Sequence, residues 1–245
     1  MANIVVIGAS GDVGRGIVEV LVSRGHAVAA LARTASRVAA LADELGRPAS
    51  LHAMHGSLDS EAQAQAALGA VRAIFPGIDA VIVSVNGPRE PAALLTNSPE
   101  QLAARLQADL VAHYTAARIF MPALAPGGVH LGIGGGSADF ILQGGVPQSI
   151  AQAGLRMLYR GLAHECAQQP VEIRQLIIAS IVNGSSMRGR ADPLWVTDRE
   201  IGAQVAAIVD DPGAFPGPIL RLARRDDSGR PVFSSEGPSK VQGFR

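Results

Sequence analysis

The stretch Asn3-Ile4-Val5-Val6-Ile7-Gly8-Ala9-Ser10-Gly11-Asp12-Val13-Gly14 constrains the rest of the chain more than any other. Ile4–Ile7 is a run of four apolar residues that reads as a short buried strand. Val13, Ile17, Val20 and Leu21 then recur at helical spacing. Between strand and helix stand glycines at 8, 11 and 14, which let backbone amides come close to an anion, and the helix N-terminus behind them adds partial positive charge. A glycine pattern alone is weak evidence, but one placed at a strand-to-helix turn predicts a pyrophosphate cradle made by Gly8, Ser10, Gly11, Asp12, Val13 and Gly14. The competing reading is a tight turn that holds nothing.

The strand-then-helix unit recurs along the chain. Ala27–Leu31 is a second strand and Ser36–Leu45 a helix, with Val38, Leu41 and Leu45 on one face. Ser50–His55 is a third strand, 60–75 a helix, and Ile78–Val83 a fourth strand ending in Ser84-Val85-Asn86-Gly87. Alternation of this kind predicts an α/β fold: a single Rossmann-like, doubly wound parallel sheet with helices on both faces, one domain over 1–245. After a connector at 88–99, a long helix over 100–121 stops at Pro122. Gly128–Ile133 is a fifth strand, 148–167 a second long helix, Glu172–Ile178 a sixth strand, 198–210 a helix and Pro218–Leu222 a last strand. The tail from Arg224, rich in Asp, Ser, Gly and Pro, is expected to be poorly ordered.

The second strand ends in Ala32-Arg33-Thr34. In a dinucleotide fold an acidic residue there binds a ribose 2′-hydroxyl, whereas a basic one pairs with a 2′-phosphate. Arg33, with Thr34 and with Arg37 a helical turn on, therefore predicts NADP(H) rather than NAD(H). Lys and Arg total 21, as do Asp and Glu, so zero formal charge argues against nucleic acid or an anionic membrane as partner. One cysteine, Cys166, excludes a disulfide framework or a thiolate zinc cluster. No His, Asp and Glu grouping has the spacing of metal ligands. Met1 runs into a strand within three residues and no apolar run reaches membrane-spanning length, so the expected location is cytoplasmic.

By its order of elements over residues 3–222, the chain resembles the short-chain dehydrogenase/reductase family, single Rossmann domains that are usually NAD(P)-dependent oxidoreductases. Its Gly8-x-x-Gly11-x-x-Gly14 is similar to the atypical branches of that family, which include reductases and nucleotide-sensing proteins. Gly56-Ser57-Leu58 looks like the family's Gly-Asp-Leu beside adenine, with Ser57 for Asp. Ser84-Val85-Asn86-Gly87 loosely matches its Asn-Asn-Ala-Gly, and Ser185 falls near the Thr that faces the nicotinamide amide. The resemblance thus implies Ser57, Leu58, Asn86, Gly87, Gln152 and Ser185 as further cofactor contacts.

The family's catalytic positions are where the resemblance departs. Counting back thirteen residues from Pro122 gives Asp109 for the helix Asn. The register from Gly127-Gly128 gives Gly135 for the Ser, and thirteen and four residues further give Gln148 for the Tyr and Gln152 for the Lys. A carboxamide has no useful acid or base near neutral pH, so Gln148 cannot replace the tyrosine's proton transfer. Ser137 and Asp139, just past the fifth strand, and His113, one turn after Asp109, are candidates to take over. His113 also reads as a core or interface histidine, and Tyr114 and Tyr159, each without a lysine four residues on, as packing residues.

Two functions compete. One is an NADP(H)-dependent oxidoreductase with non-standard catalysis; the alternative is a catalytically inactive dinucleotide sensor or pseudo-enzyme. A non-redox lyase in the same pocket has no dedicated residue. Met187, Leu194 and Trp195 in the variable segment 183–200 read as a lid over an apolar or aromatic small-molecule substrate. Alanines 103, 104, 108, 112, 116 and 117 would let the long helices pack on copies of themselves, giving a homodimer or homotetramer.

Overall fold

A computed structural model describes residues 1–88, 91–141, 143–187, 189–190 and 192–237. In chain order its elements begin with β1 (Asn3–Ile7), α1 (Asp12–Ser23), β2 (Ala27–Ala32), α2 (Ala35–Glu44), β3 (Leu51–His55), α3 (Glu61–Arg72) and β4 (Ile78–Val83). They continue with α4 (Pro99–Leu106), α5 (Ala112–Phe120), β5 (Leu124–Gly135), α6 (Val146–Glu165) and β6 (Val171–Ala179). The short strands β7 (Val182–Asn183) and β8 (Val196–Thr197), then α7 (Asp198–Asp210), β9 (Ile219–Arg225) and β10 (Pro231–Glu236), complete the chain.

One eight-stranded sheet runs in the order β10-β9-β6-β5-β4-β1-β2-β3. Every neighbouring pair in it is parallel except β9 with β10. The chain winds outward from β1 to β2 and β3, returns to the other side of β1 as β4, and winds outward again. That reversal opens a crevice beyond the ends of β1 and β4, where such sheets bind ligands.

Strands covered on both faces need apolar residues at every position, which is why the strand segments are continuous apolar runs. Ile4, Val6, Val28, Ala30, Ile82 and Leu131 pack with Ile17 and Leu21 of α1, Val38 and Leu41 of α2, and Ile201 and Val205 of α7. Val5, Ile7, Ala29, Leu31, Val81 and Val83 face Leu68 and Val71 of α3 and Ala116 and Phe120 of α5. Leu155 and Tyr159 of α6 cover Ile173, Ile177 and Ile219. Among the described residues, no helix is long and apolar enough to cross a membrane.

Several expectations change. The helix over 100–121 is two α-helices joined by a wider π turn, Gln107–Val111, and its Ala112, Ala116 and Ala117 are buried in the core instead of lying open to a second copy. The tail does not fray at Arg224. β9 continues to Arg225 and the chain turns back as β10, whose Glu236 accepts from Arg156 and Arg160 of α6. Residues 238–245 of that tail, and parts of the connector and of the 183–200 segment, lie outside the described residues.

Candidate functional site

The glycine turn is built by close approach. Gly8 has φ +88°, and a Cβ there would run into the Ser84 carbonyl at the end of β4. Its N–H and that of Ala9 both donate to the Leu31 carbonyl, at 2.9 and 3.0 Å, tying the turn to β2. A Cβ at Gly14 would overlap the Gly8 carbonyl, so this glycine lets α1 pack directly under the turn. Gly11 differs: a Cβ there would meet only the Gly8 oxygen, at 3.6 Å, and Gly11 lies in the wall of a cavity of about 240 Å³. Two of the three glycines therefore shape the turn and the third keeps its mouth open.

Gly8, Ser10 and Gly11 form one side of that cavity. Arg33, Thr34 and Arg37 stand beyond β2, Leu58 and Asp59 beyond β3, and Ser84, Val85 and Asn86 beyond β4. Arg33 lies 3.7 Å from Asp59, and both side chains are largely exposed. Two guanidiniums against one carboxylate leave this end of the cavity cationic. Ser57 is turned away, its hydroxyl accepting the Asp59 N–H at 3.1 Å. Val13 packs on the core below the turn.

Asp12 and Ser185 are brought together. The Asp12 carboxylate accepts from Ser185 Oγ at 2.6 Å and from the backbone N–H and hydroxyl of Ser186, strapping residues 184–186 onto the start of α1. Burial pushes the Asp12 carboxyl up, but these bonds and the Arg15 charge outweigh it and hold the group below the usual carboxylate range. Met187, Leu194 and Trp195 line neither described cavity. The Pro193 and Trp195 carbonyls instead accept from Arg225, each at 2.6 Å, which fixes that segment against β9.

A second cavity, of about 590 Å³, adjoins the first across Ala108, which lines both. Gly87 and Gln148 stand in its wall with Asn97, Gln101, Arg105 and Gln143. Asp109 is buried behind it in the π turn, accepting from the Gly87 N–H and from Arg105. Burial raises its carboxyl, against the pull of those two partners. Gln152 Oε1 accepts the Gly135 N–H at 2.6 Å. Ser137 is buried, and its hydroxyl has no hydrogen-bond partner among the described residues. The Gln175 carboxamide, fully buried on β6, has none among them at either end.

His113 is buried away from both cavities. Its Nε2 lies 3.2 Å from the Val85 carbonyl and its Nδ1 3.2 Å from the Tyr159 hydroxyl, which is 3.3 Å from His130 Nε2. A carbonyl can only accept, so Nε2 of His113 carries the proton, Nδ1 accepts from Tyr159, and His130 Nε2 donates to the tyrosine oxygen. Burial pushes His113 down to about 4 and His130 to about 3, keeping both rings neutral. Tyr159 is pushed up by the same cause. This chain of rings holds the loop after β4 from behind.

Sequence reasoning did not single out Asp59, Asn97, Gln101 or Arg105 as site residues. Asn97 and Gln101 sit in what reads as an ordinary helix start, Asn-Ser-Pro-Glu-Gln, with Arg105 in the last turn of the same helix, and only the three-dimensional neighbours give them another use. Among the described residues no group of His, Cys, Asp and Glu is placed to hold a metal ion.

Comparison with known proteins agrees with this layout. The family model described as short chain dehydrogenase matches residues 2–193. Curated proteins give no match. Among solved structures, an apo short-chain oxidoreductase from Pseudomonas aeruginosa PAO1 containing an atypical catalytic center is similar at 21% identity and TM-score 0.81, covering 91% of this chain and 95% of that one. An alcohol dehydrogenase from Thermococcus sibiricus complexed with 5-hydroxy-NADP has 21% identity and TM-score 0.79, covering 91% and 96%. A short-chain dehydrogenase/reductase from Serratia marcescens has 20% identity and TM-score 0.80, covering 91% and 95%. With the model matching most of its length and the crevice built as described, the chain belongs to the short-chain dehydrogenase family.

Proposed function

We propose that this family member is an NADP(H)-dependent oxidoreductase that works without the family's tyrosine, lysine and serine. The observation that carries the cofactor reading is the cationic end of the first cavity, where Arg33, Thr34 and Arg37 suit a 2′-phosphate while the amides of the glycine turn suit a pyrophosphate. Leu58 offers an apolar surface to adenine, and Asn86 and Gly87 lead from this cavity into the second. The dinucleotide, when bound, supplies or accepts a hydride.

What the chain itself adds is orientation. Gln148 lines the second cavity with a carboxamide that holds no transferable proton at neutral pH, and the oxygen of Gln152 is committed to Gly135. Loss of a positioned general acid costs about 10²–10⁴-fold in rate, so simple ketones are poor substrates. Electrophiles that need little proton assistance, such as an activated alkene or a quinone, are the suitable acceptors, with water as the acid.

A second reading, dinucleotide binding without turnover, is favoured by one fact. No described residue lining either cavity is a His, Tyr, Cys or Lys. Rapid mixing with NADPH separates the two. Oxidation of NADPH by an enone or quinone carrying hydroxyl or carboxamide groups but not by a hydroxylated simple ketone such as dihydroxyacetone is the expected result. The Gly135→Ser/Gln148→Tyr/Gln152→Lys variant should gain ketone reduction. No oxidation above background with any acceptor would leave only the binding function.

A further inference from the structure

We propose that the second cavity takes an uncharged small molecule rich in groups that both donate and accept hydrogen bonds, namely hydroxyls or carboxamides. This rests on the reading of that cavity as the substrate side of a dinucleotide site, and it replaces the apolar ligand expected from Met187, Leu194 and Trp195, which lie elsewhere.

The cavity's polarity is fixed by contacts on its far side. Asn97 Nδ2 donates to the Ala93 carbonyl at 3.0 Å and to the Leu94 carbonyl at 3.3 Å. With its donors used there, what Asn97 can offer a ligand is its oxygen. Gln101 Oε1 accepts the Ser98 N–H at 2.8 Å, as half of the capping box that starts α4. What Gln101 can offer is therefore its NH₂. The two carboxamides, four residues apart, thus present an acceptor and a donor in set orientations, and a ligand that satisfies both must itself donate and accept.

Charge and shape narrow the class. Arg105, the described ionisable residue in the wall, is paired with Asp109 at 3.4 Å and donates to the Pro88 carbonyl, so its charge is answered from within the protein. The apolar lining is Pro88, Pro91, Pro147, Ala104 and Ala108, with no large aliphatic or aromatic side chain among the described residues. Such walls offer an aromatic or alkyl ligand little to pack on. An apolar occupant would also strip water from the carboxamides and return nothing, the situation in which sites reject an analogue lacking a hydroxyl far more strongly than a greasy pocket rejects one carrying it.

The test uses a pair of matched ring size, myo-inositol and cyclohexanol, with glucuronate as the charged control. Binding to the full chain is read by saturation-transfer NMR with and without saturating NADP⁺. The expected result is myo-inositol bound at least about tenfold tighter than cyclohexanol and glucuronate. Its signal should fall in Gln101→Leu and also in Ala104→Leu, which fills the cavity without touching the capping box. Cyclohexanol bound as well as or better than myo-inositol, glucuronate bound best, or no binding of the polyol would each overturn the proposal. NADPH binding, followed separately by its fluorescence, decides the dinucleotide reading. A chain that binds NADPH but prefers cyclohexanol refutes this inference alone.

Discussion

At the scale of single residues, the interior is organised by Tyr159. A Cβ at Gly132 would overlap its ring and hydroxyl, so β5 gives up a side chain to admit it. His130 stacks on the ring at 5.8 Å and His113 meets it edge-on at 6.0 Å. Both histidines ionise near 6.5 when unfolded but are held neutral down to about 4 and about 3 in the folded protein. As pH falls below about 6.5 the unfolded chain takes up protons first, so stability is full above that value and drains away toward about 4. The two buried rings together make this loss of the order of a few kcal/mol. Urea unfolding from neutral pH to about 4.5 should show the loss, with a shallower slope in His130→Phe. A midpoint flat across that range would contradict it. The sequence marks Tyr159 as a packing residue by the lack of a lysine partner and reads His113 as a core or interface histidine, but that they meet each other was hidden by a separation of 46 positions.

At the scale of elements, the glycine turn and the strand alternation were legible because they are local. Each is decided by residues a few positions apart. The π turn at 107–111 was not, because what makes it necessary is Asp109 reaching Gly87 from the other side of the crevice. β10 was missed for a similar reason. Its composition reads as loop, and it is held by Arg156 and Arg160, some eighty residues away on α6. The strap over α1 likewise depends on a pairing across 173 residues, Asp12 with Ser185. Asp12→Ala removes the acceptor for Ser185 and Ser186. Amide exchange at 185–187 should quicken at least about tenfold while core strands keep their protection. Unchanged exchange there would show that the segment is held by something else.

At the scale of the whole molecule, family membership follows from pattern over most of the chain, whereas the chemistry depends on what stands at a few positions. With Ala112, Ala116 and Ala117 buried, the face expected to meet a second copy is the outer surface of the π turn, α5 and α6, where Val111, Tyr114, Ile150 and Met157 are exposed. Sedimentation at micromolar concentration should give a homodimer that Met157→Glu weakens. A monomeric wild type would remove that reading. Cavity polarity, too, was invisible along the chain, since Asn97 and Gln101 look like helix-start residues until Gly87 and Gln148 are placed opposite them.

The most direct measurement is an equilibrium fluorescence titration of the full chain with NADPH and with NADH. NADPH bound at least about tenfold tighter, with that preference lost in Arg33→Ala, is the result expected of a cationic 2′-phosphate site. Equal affinities, a preference for NADH, or no binding of either would contradict it.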